Sequence, residues 1–174
     1  MKDVELKLIS ELMKNGRKSD RELAKAIGVS QPTVTRIRSR LEKEGVIKEY
    51  TMIPDFSKLG FEILSITFVR FTKELTREEF NELRRYSKDL EKQNPGAVLM
   101  AMNGMGFGFN RVFISFHKNL SSYIRIMNLI KTIPNVDPTH LESFLISLED
   151  EFHFQPITLS IIANYLLKMR EEKS

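Results

Sequence analysis

The segment Ser30–Arg40, SQPTVTRIRSR, concentrates side chains that can hydrogen-bond DNA. Arginine can bond guanine through two hydrogen bonds, glutamine can bond adenine in the same way, and threonine offers a hydroxyl and a methyl group. We therefore expect base reading by Gln31, Thr33, Thr35 and Arg36. Basic side chains that follow are expected at DNA phosphates, namely Arg38, Arg40 and Lys48. Two serines, Ser30 and Ser39, complete the predicted DNA-binding set.

Three predicted helices position this segment. The first begins after Asp3 and ends at the pair Asn-Gly, and the second runs from a capping box that starts at Ser19 to a stop at Gly28. Only two residues then precede the third, which Ser30 can cap and Gly45 closes. Two helices joined by so tight a turn are typical of a helix-turn-helix.

The third predicted helix turns its polar side chains outward. Val34, Ile37 and Leu41 recur at the spacing of one buried stripe. A step of about 100° per residue then places Thr35 and Arg36 on the opposite side. The apolar-rich run 46–53 predicts a short strand or wing before Pro54, so residues 1–54 read as a winged helix-turn-helix domain.

The charge distribution supports an anionic partner for this domain. Residues 1–54 hold 12 Lys and Arg against 8 Asp and Glu, whereas the rest of the chain holds 15 of each. The net charge of +4 therefore resides in the first third. The alternative is that the arginines of RIRSR only form the solvated face of an amphipathic helix.

The composition excludes several kinds of chemistry. The 174 residues include no cysteine, which excludes disulfides, thiol catalysis and cysteine-ligated metals. The three histidines lack metal-ligand spacing, so we expect no metal, no cofactor and no catalytic residue. No segment is apolar enough for a membrane span or a signal peptide, and a cytoplasmic protein without membrane contact is expected.

A longer run, from LISELMKNGRKS through ELAKAIGVS and RIRSRLEKEGVI to KLGF, resembles the amino-terminal half of the Lrp/AsnC family. These leucine-responsive and asparagine-responsive regulators occur in bacteria and archaea. The resemblance implies a DNA-binding transcriptional regulator whose second domain dimerises and, in many members, binds an amino-acid effector between subunits.

The remaining chain predicts a second domain of the order βαββαβ. Strand patterns at 61–71, 97–103, 111–117 and 139–149 alternate with helix patterns at 76–94 and 121–133. Ile124 is among the residues expected inside the second of these helices. This order is that of a ferredoxin-like fold, which the Lrp/AsnC resemblance also implies. The fold class is therefore α+β, with a linker at 55–60, a ferredoxin-like effector-binding and dimerisation domain at 61–150, and a helical extension at 151–174.

The extension carries an apolar stripe that something must cover. It is built from Ile157, Ile161, Ile162, Tyr165, Leu166 and Met169. Packing on its own domain and a contact between subunits are both open from the sequence.

The stretch NGMGFGFN joins two of the predicted strands as a hairpin. It neither leads into a helix nor carries a Lys-Ser/Thr pair, so it does not match a phosphate-binding loop. It occupies the place of the family's glycine-containing, acidic turn but holds no carboxylate for an ammonium group. The candidate effector-binding residues are Asn103, Gly104, Gly106, Phe107, Gly108 and Asn110.

The sequence thus predicts a sequence-specific regulator. It would bind a pseudo-palindromic operator in double-stranded DNA as a homodimer or a multiple of dimers, modulated by a small-molecule effector. Two alternatives remain at this point: an enzyme of the same architecture, similar to tetrapyrrole decarboxylases, and a small-molecule sensor or adaptor without specific DNA binding.

Overall fold

The computed structural model describes residues 1–93, 97–152 and 157–171. The chain divides into two compact units. The first combines Met1–Pro54 with the C-terminal segment that begins at residue 153, and the second is Asp55–Phe152. The six residues expected as a linker, 55–60, therefore lie in the second unit, and the segment treated as a separate extension groups with the first.

The three helices predicted in the first unit are confirmed as α1 (Asp3–Lys14), α2 (Asp20–Ile27) and α3 (Gln31–Lys43). Leu8, Leu23, Val34 and Leu41 form their common core, each with 1% or less of its surface exposed. The turn between α2 and α3 uses Gly28 at a φ of 73°, a left-handed conformation that glycine adopts without a steric penalty.

The strand predicted within residues 46–53 is not formed. The backbone amides of Val46 and Ile47 instead bond the carbonyl of Leu41 at the end of α3. A strand needs a neighbouring strand to bond its amides and carbonyls, and the described part of this unit consists of helices and irregular chain. Within this segment Ile47 packs against the helical core, whereas Met52 is 72% exposed.

The C-terminal segment contributes α6 (Ser160–Glu171), which packs on α1. Ala163 is fully buried, and its carbonyl accepts a hydrogen bond of 2.9 Å from the buried Ser10 hydroxyl. The predicted apolar stripe is covered only in part, because Ile161, Ile162 and Tyr165 remain about half exposed. No helix in the described ranges is long and apolar enough to cross a membrane.

The second unit has the predicted βαββαβ order. Its elements are β1 (Ile63–Phe71), α4 (Arg77–Gln93), β2 (Ala97–Gly106), β3 (Phe109–His117), α5 (Leu120–Lys131) and β4 (Val136–Ser147). The strands form one antiparallel sheet in the order β2-β3-β1-β4. Thr76 and Glu79 cap α4 as predicted.

Both helices of the second unit pack on one face of its sheet. Leu83 of α4 and Met127 and Ile130 of α5 join Val69 of β1 in a single core cluster. Ile124 was expected inside, but it is 49% exposed, because it lies at the margin of the buried stripe of α5, about 60° around the helix from Met127 and about 120° from Ile130.

Candidate DNA-binding surface

The face of α3 opposite its buried stripe is open to solvent. Val34, Ile37 and Leu41 are buried, whereas Thr35 and Arg36 are exposed. The side of α3 that is buried is therefore the side that the predicted periodicity assigns to the core. Five of the other predicted DNA-binding residues, Ser30, Gln31, Ser39, Arg40 and Lys48, are also exposed, while Thr33 and Arg38 are half-buried.

The first turn of α3 is organised by its own side chains. The Ser30 hydroxyl accepts a hydrogen bond from the backbone amide of Thr33 at 3.4 Å and lies 2.8 Å from the Thr33 hydroxyl. Ser30 therefore acts as the predicted N-cap. The same contacts engage both hydroxyls within the chain.

Thr35 connects α3 to the start of α2. Its hydroxyl donates to the Asp20 carboxylate at 2.6 Å and lies 3.1 Å from the carbonyl oxygen of Gln31. This hydrogen bond, with a further one from Arg38, lowers the pKa of Asp20 below its ordinary value. The hydroxyl has one proton to donate, so Asp20 competes with any base for it.

Arg38 is held by three groups of the first unit. Its guanidinium lies 2.9 Å from the Asp20 carboxylate and 2.7 Å from the Tyr50 hydroxyl, and it is 3.3 Å from the Glu42 carboxylate. It also lies over the Tyr50 ring, 4.5 Å from the centroid. These contacts tie α2, α3 and the segment after α3 together.

Arg40 is likewise paired within the chain. Its guanidinium forms an ion pair with Glu5 of α1, which is buried, and lies 3.8 Å from Glu44. The pKa of Glu5 is lowered first by the backbone amide of Lys2 and then by Arg40. The charge of Arg40 is therefore partly used in fixing α1 to α3.

Three of the predicted residues keep their side chains available. Within the described ranges, the side chains of Gln31, Arg36 and Lys48 make no hydrogen bond or ion pair with the protein. Gln31 lies in the first turn of α3 and Arg36 in its second. Free donors on the exposed face of such a helix are what direct base reading requires.

Two basic residues of α2 were missed by the sequence reasoning. Arg21 and Lys25 are exposed, and neither forms an ion pair with any described residue. Arg21 is the residue after Asp20, whose carboxylate accepts the hydrogen bond from Thr35 of α3. Their spacing of four residues, outside the buried pair Leu23 and Ala24, was the available signal.

The glycine stretch forms the predicted hairpin with a two-residue turn. Phe107 and Gly108 have φ of 52° and 81°, the left-handed values that such a turn needs. Gly104 and Gly106 belong to β2 itself. Phe107 is 92% exposed, which leaves it outside any enclosed site in this structure.

Both asparagines of the hairpin are engaged by protein groups. The Asn110 side-chain oxygen accepts a hydrogen bond of 2.9 Å from the backbone amide of Phe71. The Asn103 side-chain oxygen accepts one from the guanidinium of Arg111. Asn110 thus fixes the hairpin to β1, and Asn103 orients an arginine.

The described histidines do not converge. His117 is buried, and its Nε2 atom lies 3.0 Å from the hydroxyls of Ser65 and Ser115. His140 is paired with Asp137 at 2.9 Å. His153 lies outside the described residues. In the parts of the chain that the structure describes, no three residues of metal-ligating type are grouped.

Comparison with known proteins adds independent evidence. A family model described as winged helix-turn-helix DNA-binding matches residues 1–48. The HTH-type transcriptional regulator FL11 of Pyrococcus horikoshii is 25% identical over 79% of this chain and 85% of its own length. The HTH-type transcriptional regulator LrpC of Bacillus subtilis is 43% identical over 63 residues, which cover 36% of this chain and 44% of LrpC.

Solved structures match over both units. The match to the structure of LrpC covers 89% of this chain and 99% of the LrpC chain, with a TM-score of 0.67 and 26% identity. A transcriptional regulator of Neisseria meningitidis, solved as a complex with L-methionine, covers 93% of this chain and 99% of its own, with a TM-score of 0.68. At 16% identity the latter establishes only the fold.

Proposed function

We propose that this chain, whose relatives are HTH-type transcriptional regulators of the Lrp/AsnC family, is a sequence-specific transcriptional regulator of the cytoplasm and not an enzyme. The observation that carries the proposal is the pair of unpaired side chains, Gln31 and Arg36, on the exposed face of α3. They supply the donors and acceptors that major-groove recognition needs.

The roles of the DNA-binding residues divide by their contacts. Gln31 and Arg36 read base edges, and Lys48 contacts phosphate. Arg38 and Arg40 hold the helices in place and reach phosphate only through donors that their ion pairs leave unused. The hydroxyl residues of the set, Ser30, Thr33, Thr35 and Ser39, contribute at the edge of the interface.

A second copy of the chain is required to present two recognition helices. The sheet of the second unit offers a surface for it, because the face without helices is mostly apolar, although Glu142 lies on it beside Phe68. Leu64, Ile66 and Phe68 alternate in β1 with the buried residues of the helix-covered face. They lie beside Val112, Ile114, Phe144 and Ile146 in the strand register. Phe144 is 65% exposed in the single chain.

Two copies related by a two-fold axis give the operator its form. Their α3 helices would enter successive major grooves about 34 Å apart, so the operator is a pseudo-palindrome with half-sites one helical turn apart. The assembly is a homodimer or a multiple of dimers.

A small-molecule effector is part of the proposal. The related fold from Neisseria meningitidis was solved with L-methionine. For this chain the hairpin residues 103–110 are the proposed place of effector contact, through backbone groups, since this stretch contains no carboxylate to bind an ammonium group.

The test is selection of bound sites from random duplex DNA by the full chain, with and without the twenty amino acids. Enrichment of a pseudo-palindromic site is expected for the wild type and for Arg125→Ala. Arg125 is exposed on α5 in the second unit, away from the helix-free face of the sheet, and serves as a matched loss of one positive charge. Arg36→Ala should lose selectivity at one base position of each half-site. Absence of enrichment under every condition would refute the proposal.

A further inference from the structure

A cavity of about 370 Å³ lies between the helices and the sheet of the second unit. Its volume falls at the lower end of the range of small-molecule sites, roughly 300–1,000 Å³. Its walls come from α4, α5, β2 and β3 and are mostly apolar, with Phe80, Leu83, Phe113, Leu129 and Ile130 among the lining residues.

Arg111 of β3 brings a positive charge into this apolar lining. Its side chain is half-buried, and burial lowers the pKa of the guanidinium. No carboxylate forms an ion pair with it in the described ranges. The guanidinium lies 4.4 Å from the centroid of the Phe71 ring and 5.3 Å from that of Phe80. The ring faces attract the cation, but they offer no oxygen or nitrogen acceptor for its N–H groups.

The hydrogen bonds of Arg111 are incomplete. One nitrogen donates to the side-chain oxygen of Asn103. The Nε atom is buried without any acceptor, and it is the single buried side-chain nitrogen or oxygen in that condition among the residues described. A guanidinium carries five N–H donors, and among the described residues only the Asn103 oxygen accepts from one of them. Unsatisfied buried groups of this kind are rare in native proteins and require an explanation.

The charges around the cavity favour an anion without an accompanying ammonium group. Arg84 and Lys88 of α4 also line it, against one acidic residue, Glu91. The lining therefore carries more positive than negative charge. Carboxylate is the planar group that a guanidinium binds through paired hydrogen bonds. The walls supply the surface for an apolar body.

We propose that this cavity binds a small organic monocarboxylate with an aliphatic or aromatic body, whose carboxylate pairs with Arg111. The site differs from the hairpin residues of the proposed function, sharing with them only Asn103, which orients the guanidinium. It also stands independently of DNA binding, because its test measures the ligand directly.

The experiment is calorimetric titration of the full chain with 3-phenylpropanoate, 4-methylpentanoate and octanoate, each beside its uncharged amide. At least one acid should bind with one ligand per chain. Its Kd should be roughly 10- to 100-fold lower than that of its amide, which is the gain in affinity that a charge-assisted hydrogen bond provides. Arg111→Gln should remove this preference, whereas Arg70→Gln, which changes an exposed arginine of the same unit, should retain it.

A second variant protects the test against a folding defect in Arg111→Gln. Leu129→Phe fills the cavity and leaves Arg111 in place, so it should weaken the acid and the amide alike at an unchanged Tm. The proposal is overturned if no acid binds below about 10 mM, if acid and amide bind equally, or if Leu129→Phe leaves both affinities unchanged. Tighter binding of phenylalanine than of 3-phenylpropanoate would likewise overturn it, since an amino acid would then be the ligand.

Discussion

Arg36 and Arg38 lie two residues apart on α3, but replacing them by alanine should affect different properties. Arg36→Ala should reduce base selectivity, and Arg38→Ala should reduce stability. Arg36 is exposed and forms no described contact. Its loss should weaken binding to the selected operator by about 1–3 kcal/mol, which is the discrimination supplied by one bidentate arginine–guanine contact. The loss on random DNA should be smaller, because only the contribution of one charge disappears there. The free energy of unfolding should change by no more than about 0.5 kcal/mol.

Arg38→Ala should instead lower the stability of the first unit. It removes an ion pair of 2.9 Å with Asp20, in which the side chains of Arg38 and Asp20 are 24% and 20% exposed. It also removes a hydrogen bond of 2.7 Å to the Tyr50 hydroxyl. It also removes the contact with the Tyr50 ring. The three interactions contribute about 0.5–1 kcal/mol each after solvent screening, so the expected loss of unfolding free energy is about 1.5–3 kcal/mol. Selectivity for bases should be retained at temperatures where the variant is folded.

Two assays separate these effects. Urea unfolding of each variant measures stability, and competition between the selected duplex and a scrambled duplex measures selectivity at fixed salt. Arg125→Ala, at an exposed position of α5 in the second unit, is the control for loss of one positive charge. The reasoning fails if Arg36→Ala weakens both duplexes equally, or if Arg38→Ala loses selectivity without losing stability.

Three further predictions concern the fold. Leu8→Ala, at a fully buried site, should cost about 2–5 kcal/mol of unfolding free energy in urea, and a cost below about 1 kcal/mol would contradict the packing of this core. Gly28→Ala should lower the free energy of unfolding by about 1–2 kcal/mol, because Gly28 has a φ of 73° that alanine adopts only with strain. Gly104→Ala should lower it less, because Gly104 lies in open space without such a φ. Equal losses of stability in thermal unfolding would exclude backbone strain as the cause. Burial lowers the pKa of His117, so the unfolded chain binds more protons than the folded chain below about pH 6.5. Stability should therefore be full above that pH and fall as the pH drops, by at most about 1.4 kcal/mol per pH unit, and His117→Gln should flatten the decline measured by urea unfolding between pH 6.5 and 5.

Much of the fold could be predicted because it depends on local patterns. The buried stripe of α3 follows from the spacing of Val34, Ile37 and Leu41, and the end of α2 follows from Gly28. The prediction of a strand within 46–53 was wrong, because residues with high strand propensity do not by themselves provide a partner strand. Ile124 was misplaced for a related reason, since an apolar residue on a helix need not face the core of its own chain.

By itself the sequence determined the order of the elements, the outward face of α3 and the kind of side chains on that face. The reason is that the repeat of apolar residues in a helix or a strand can be recognised within a short stretch of sequence. Only the tertiary structure decided which of these side chains are free. Asp20 and Tyr50 hold Arg38, Glu5 holds Arg40, and Arg36 between the buried Val34 and Ile37 remains available. These partners are distant in the chain, and no local pattern specifies which carboxylate a given arginine will meet.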